Sequence, residues 1–455
     1  MARTTEIKRP HRSRTRHTGT AFIGAALSAA LMLAACGDGV TSTTTSGSGA
    51  PPTAPASARV DQAKPAFSNP TRITNPLFPI GALTQVVQLG TDEGQELRAE
   101  ITLLPDRRTI EWDGRQIEAV VSQFIAYKDA TVAEVATDYF AQADDGAVWY
   151  LGEDVTNYED GVVANHDGTW LAGKDGPAGM IMPASPKPGD VYRPENIPGF
   201  VFEEVTVKST RTVDGPRGQV PGAIAIQELL MDGTLEDKVF APGYGEFEAR
   251  VTDKELLTLA LAVPVDAKGG GVPVELAALA TGAADIFRLA PSRDFDALSA
   301  TVAGMTAAWD SHARTGPPAL LATHMGDSLG ALSAAVKAQK PDDVRQASVA
   351  VARAGLDLQL QFTSPADTDL ARIEVWARKL IADAAANDTG GVRGNMVIVD
   401  ATWDRVDHAV EAPGRADVET ARAELRSAVE AGDMAATSSA AEKLRQVVAG
   451  ARLSS

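Results

Sequence analysis

The 455-residue chain carries 42 Lys and Arg against 60 Asp and Glu, a net charge of −18 with histidines neutral, and one cysteine. A surface of that sign repels phosphate backbones and anionic headgroups, which excludes nucleic acid as a partner. A lone cysteine excludes internal disulfides and thiolate metal clusters, and the length suffices for two domains with separate cores.

In the first 20 residues Arg3, Lys8, Arg9, Arg12, Arg14 and Arg16 stand against one acid, Glu6. The apolar run that follows, Ala21 to Ala35, is shorter than the roughly 20 residues a bilayer-spanning helix needs. A basic segment, a short apolar run and small residues before a cut site predict a signal peptide over 1–35. Leu33-Ala34-Ala35-Cys36 resembles the lipobox of bacterial lipoproteins. The resemblance implies a diacylglycerol on the Cys36 thiol, cleavage just before it, and a chain exported and held on a cell membrane by its lipid. Two or three acyl chains make such an anchor stable. Residues 1–35 carry six of the basic and one of the acidic residues, so the remainder holds 36 basic against 59 acidic, a net of −23.

Residues 36–67 are rich in Thr, Ser, Gly, Pro and Ala. Such a segment buries too little surface to offset its ordering entropy, which predicts a disordered tether. Over 68–265 strand-like runs recur, among them Ala82–Leu89, Glu96–Leu104, Gln116–Tyr127, Ala147–Leu151, Phe200–Lys208, Ala223–Leu230 and Leu256–Val263. Asp-Gly pairs stand at 113–114, 145–146, 160–161, 167–168, 175–176, 214–215 and 232–233. Asp-Gly suits a type I′ turn, whose two central residues need positive φ, so successive hairpins and an antiparallel sheet are expected. Residues 266–291, opening on Asp-Ala-Lys-Gly-Gly-Gly, predict a linker with short helices. From 292 to 455 the signal is helical: Leu298, Val302, Met305, Trp309 and His312 form one apolar stripe, and Val392, Met396, Val399, Trp403, Val406 and Val410 another. Pro317, Pro365 and Pro413 recur every 48 residues, which fits a bundle of three helical hairpins after a leading helix; a repeat array is the other reading. The expected class is α+β: an N-terminal antiparallel β domain, open or curled into a part-barrel, followed by a C-terminal all-α helical bundle.

Four segments of the β half occur in order: Asn-Pro-Leu-Phe-Pro at 75–79, Asp138–Asp154, Gly168–Arg193 and Val239–Phe247. They resemble a group of exported bacterial β proteins with an aromatic-rich hairpin, a Gly-Ile-Ile-Met-Pro-like turn and a Tyr-Ala-Pro-Gly-x-Gly-like segment. Phe140 and Met180 depart from that pattern. The resemblance implies a fold and a compartment but no activity.

Within these segments Trp149, Tyr150 and Trp170 are candidates for a ligand groove, with core packing as the plainer reading. Strand alternation places Val148 and Tyr150 on one face, Trp149 and Leu151 on the other. Gly-Asp-Ser-Leu at 326–329 matches a hydrolase motif, but Ser328 falls inside a predicted helix, without the strand-to-helix elbow that exposes a nucleophile. A buried His312 with Met305 could ligate copper or haem; a core histidine explains the same residues. No metal site, catalytic residue or cofactor is assigned. The expected function is a lipid-anchored envelope protein with a binding or scaffold role toward a hydrophobic ligand, a glycan or another envelope protein. The alternatives are a carboxylate-dependent enzyme in the β-domain cleft and a metal- or haem-carrying bundle.

Overall fold

Fourteen strands and eight α-helices follow one another in residues 53–454, the residues that the computed structural model describes. The expected signal peptide and Cys36 lie outside the described residues. The strands are β1 (Gln85–Asp92), β2 (Gln95–Trp112), β3 (Arg115–Lys128), β4 (Thr131–Gln142), β5 (Val148–Glu159), β6 (Val162–Asn165), β7 (Trp170–Leu171), β8 (Gly179–Met182), β9 (Val191–Ile197), β10 (Val201–Gly215), β11 (Gly218–Leu230), β12 (Leu235–Ala241), β13 (Gly245–Val251) and β14 (Glu255–Val263). The helices are α1 (Val274–Leu289), α2 (Phe295–Ala313), α3 (Ala319–Lys337), α4 (Pro341–Gln359), α5 (Pro365–Ala386), α6 (Thr389–Val406), α7 (Ala412–Glu430) and α8 (Met434–Gly450). The class is α+β, an antiparallel sheet followed by a helical part.

Turn chemistry sets the hairpins. Asp113 and Gly114 take φ 52° and 72°, Asp160 and Gly161 50° and 70°, the double positive φ of a type I′ turn. Asp145-Gly146 and Asp232-Gly233 also separate consecutive strands, whereas Asp214-Gly215 closes β10 itself. In the helical part the periodic prolines act as starts rather than breaks. Pro365 is the first and Pro413 the second residue of its helix, where the missing N–H costs nothing. Side chains of Asp294, Ser364, Asp388 and Asp433 cap the N-termini of α2, α5, α6 and α8.

The sheet runs β6-β5-β4-β3-β2-β1-β14-β13-β12-β11-β10-β9, with β7 and β8 paired to β5. It curls until β8 lies against β9, although no ladder joins them: a side chain at Gly179 would run into the Pro194 carbonyl. Opposite faces of the curl have different fates. Val87, Leu89, Ile125, Tyr127, Val132 and Leu261 share a continuous apolar core with all eight helices. Inside the curl Leu97, Ala99, Phe124, Ala126, Ala136 and Leu257 pack on one another.

The helices are also docked by buried charge. Arg98 on β2 reaches Asp357 on α4 at 2.6 Å and Glu100 at 2.7 Å. Arg405 on α6 donates to Glu100 at 2.5 Å and to Gln123 on β3. Arg372 on α5 bonds Asp369, Asp357 and Gln85 on β1. The linker is tied in as well, Lys268 N–H donating to the Gln361 carbonyl.

One region differs from the composition-based reading. Residues 53–67, expected to belong to the tether, form a strap along β9. Val60 N–H donates to the Val191 carbonyl, Ala54 N–H to Glu204, and Asp61 accepts from Arg193 N–H. These partners satisfy the strap's backbone, which composition cannot foresee. The four motif segments converge in space. Asn75 Nδ2 donates to the carbonyls of Gly146 and Pro183, and Gly243 N–H to that of Pro76, so residues 75–79 lie against turns of the other three.

Candidate functional site

The strap, β5, β8, β9 and the tip of the β2–β3 hairpin enclose a pocket of about 150 Å³ on the outer side of the curl. Its apolar wall is Trp112 and Trp149, ring centroids 5.7 Å apart and tilted by 35°, with Met180. Its polar wall is Arg193 and Asn196 from β9 and Arg59, Asp61 and Lys64 from the strap. These groups hold one another in place. Arg193 makes a two-pronged bond to Glu204 at 2.8 and 3.0 Å and donates to Asn196 Oδ1 at 2.9 Å. Its guanidinium lies 4.9 Å from the Phe202 ring centroid. Arg59 grips Asp61 through two bonds, and Lys64 pairs with Asp113. The Trp149 indole N–H is buried with no acceptor among the described residues.

The groove expected from Trp149, Tyr150 and Trp170 is divided between two faces. Only Trp149 lines the pocket. Tyr150 and Trp170, 0% and 1% exposed, pack edge to face inside the curl, centroids 5.4 Å apart. A bulge also breaks the simple alternation of β5: Tyr139 pairs with Gly152 but Phe140 with Tyr150, so Leu151 is the extra residue.

Tyr150 and Trp170 serve a belt of buried carboxyls. Tyr150 OH donates to Asp138 Oδ1 and Trp170 Nε1 to Glu195 Oε1, each at 2.9 Å. Around them lie Glu134, Glu153, Glu203, Glu228, Glu236 and Glu246, all 8% exposed or less. Lys238 answers three of these, at 2.6 Å from Glu228, 3.3 Å from Glu236 and 3.9 Å from Glu246. Burial, then the Asp138 charge, pushes Glu134 up to about 8. Burial raises Asp138 to about 7, Glu195 to about 8 and Glu236 to about 7. Glu153 is raised well above the carboxylate range, by burial first and then by the charges of Glu195 and Asp138. Burial alone would lower Lys238, but Glu228, Glu236 and Glu246 outweigh it and hold the ammonium charged. A buried like-charge set of this kind keeps part of its protons at neutral pH.

The other sequence candidates fall elsewhere. His312 is buried in α2 with neither ring nitrogen hydrogen-bonded, its ring 6.0 Å from that of Trp309, and burial lowers its basicity. Met305 packs where a side chain on Gly282 of α1 would stand. Among the described residues no group of three or more His, Cys, Asp or Glu is placed to hold a metal ion. Ser328 is buried in the middle of α3. Sequence reasoning missed Trp112 and the strap, which carry no motif, passed over Arg193 at the end of the third motif segment, and missed the inward carboxyls.

The pocket and the belt differ in access. The pocket is bounded by exposed residues such as Lys64 and Pro177, so a solute can reach it. The belt lies behind Trp170 and Tyr150, and an acid or base must come within hydrogen-bond reach of a substrate to act on it. No family model, no curated protein and no solved structure matches this chain.

Proposed function

We propose that this chain is an exported envelope protein, lipid-anchored through Cys36, that binds one sugar ring of a glycan between Trp112, Trp149 and the Arg193–Asn196 edge of β9. The observation that carries the reading is the pocket itself. An indole face takes the apolar side of a sugar ring. Convergent amide, carboxylate and guanidinium groups, already oriented by their neighbours, suit its hydroxyls. A volume near 150 Å³ has room for a sugar ring.

Titrating glucose, galactose and N-acetylglucosamine, with oligosaccharides built from them, while following tryptophan fluorescence tests the pocket. Saturable quenching lost in Trp149→Ala and Trp112→Ala supports it; no saturable change with any sugar sinks it. For the anchor, metabolic labelling with a palmitate analogue is expected in the wild type and not in Cys36→Ala. Labelling that persists in the variant overturns the lipobox reading.

A carboxylate-dependent enzyme is the second reading, supported by the protons that burial keeps on Glu134 and Glu195 at neutral pH, and it needs a path for substrate past Trp170 and Tyr150. Glycoside hydrolysis abolished in Glu195→Gln would replace binding with catalysis.

A further inference from the structure

In the charged layer between sheet and helices, one buried cation has no counter-ion among the described residues. Arg98 on β2, Arg372 on α5 and Arg405 on α6 meet Glu100, Asp357 and Asp369, three cations to three carboxylates, each 5% exposed or less. Their pairing is complete. Glu100 is met by Arg98 and Arg405, Asp357 by Arg98 and Arg372, and Asp369 by Arg372. Arg353 on α4 stands beside them, 9% exposed. It has no hydrogen bond and no carboxylate within ion-pair distance among the described residues, and its Nη2 is wholly buried. What it touches is aromatic: its guanidinium carbon lies 4.7 Å from the Trp376 ring centroid and 5.9 Å from that of Tyr127. Ring faces attract a cation but carry no net charge to cancel it. An arginine stays ionised and is almost never buried without a partner.

We propose that Arg353 anchors a buried site for a monatomic anion, chloride, in the cavity that it lines with Arg98, Arg372, Val375 and Trp376. The site does not depend on the sugar-binding reading.

Size and charge select the occupant. The cavity, about 10 Å³, has room for about one water-sized sphere, which leaves out phosphate, sulfate and carboxylate ligands. Three guanidiniums line it against Glu100 and Asp357, whose carboxylates are already paired, so an entering anion meets the unspent donors of Arg353 where positive charge is in surplus. The negative groups that act on Arg353 are Glu96 and Asp357. Asp357 is taken by Arg98 and Arg372. The Glu96 side chain is 45% exposed and lies 3.7 Å from His324 of α3, so solvent screens it. Burial lowers the basicity of His324, which leaves that imidazole uncharged at neutral pH. A bound anion brings the buried count to four charges of each sign and ties α4 into the ion-pair layer that already holds α5 and α6. A water in the same space would satisfy N–H groups but leave the charge uncancelled.

Thermal unfolding of the full chain at neutral pH, with sodium chloride replacing sodium gluconate at constant ionic strength, reads the site. Gluconate is too large for the cavity, and constant ionic strength holds general screening fixed. The wild type is expected to gain roughly 2 °C in melting temperature, saturably in chloride. Arg353→Met keeps an unbranched side chain over Trp376 and removes the charge, so its melting temperature should not respond. A wild type indifferent to chloride, or a folded variant with the full response, overturns the site. Wild-type crystals grown in sodium bromide give a second measurement that needs no variant. An anomalous-scattering peak beside the Arg353 guanidinium, within the cavity, is expected. A cavity that holds water and no bromide overturns the proposal.

Discussion

Lys238 shows how a single residue decides the character of the interior. Its ammonium is 3% exposed and answers Glu228, Glu236 and Glu246. Breaking a buried charge set by removing one partner costs about 3–5 kcal/mol. Lys238→Met is expected to cost that much at pH 8, above the value near 7 to which burial raises Glu236. The cost should shrink at pH 5, where Glu236 holds a proton. Urea denaturation at the two pH values checks this, and an equal cost at both would mean that the lysine acts by packing alone. His312 illustrates the opposite case: a buried imidazole with two unanswered nitrogens is held by apolar packing, not by a partner.

At the scale of elements, α4, α5 and α6 are positioned on the sheet by both apolar contact and charge. Apolar packing is tolerant of small rotations; the bonds of Arg98, Arg372 and Arg405 are not. Arg405 links α6 to β2 through Glu100 and to β3 through Gln123, whose side chain also donates to the Ala401 carbonyl. Arg405→Met is expected to destabilise the chain by about 3–5 kcal/mol, and exchange protection of β2 and β3 should fall along with that of α6. A loss confined to α6 would show that the charges do not hold the layers together. The four motif segments are another element-scale device. Residues 75–79 bind turns from three separate parts of the chain, so their order in sequence reflects one structural junction.

For the whole molecule, two sets of carboxyls titrate in opposite directions. Burial alone would raise Glu100 and Asp357, but Arg372, Arg98 and Arg405 around Glu100, and Arg98 and Arg372 beside Asp357, hold both below the usual range. Their stabilisation is present above the unfolded carboxylate value near 4 and is lost as pH falls. Glu134, Asp138, Glu195 and Glu236 are raised to about 7–8. Their folded forms hold protons that the unfolded chain gives up, so that stabilisation is complete below about pH 4.5, declines as pH rises, and is gone past the folded-state titration. The melting temperature is therefore expected to peak at about pH 5, falling toward both pH 3 and pH 9. A differential scanning fluorimetry series checks it; a flat profile from pH 5 to pH 9 would show that the interior carboxyls are ionised throughout.

The class and order of the fold were legible in the sequence because they rest on local rules. Asp113-Gly114 and Asp160-Gly161 declare their turns, and the stripes from Leu298 to His312 and from Val392 to Val406 declare α2 and α6. The site was hidden by the same rules. Period-two reasoning sends a charged residue outward, so Glu153, Glu195 and Glu236 read as solvent-facing, and only the closure of the curl, which brings β8 against β9, turns them inward. Trp112 and Trp149 belong to strands that share no ladder, and no pattern links them. The strap reads as tether until β9 supplies acceptors and donors for its backbone. Propensity, turns and stripes depend on residues a few positions apart; a pocket, a seam and a belt of buried carboxyls depend on which distant strands meet, which only the tertiary structure decides.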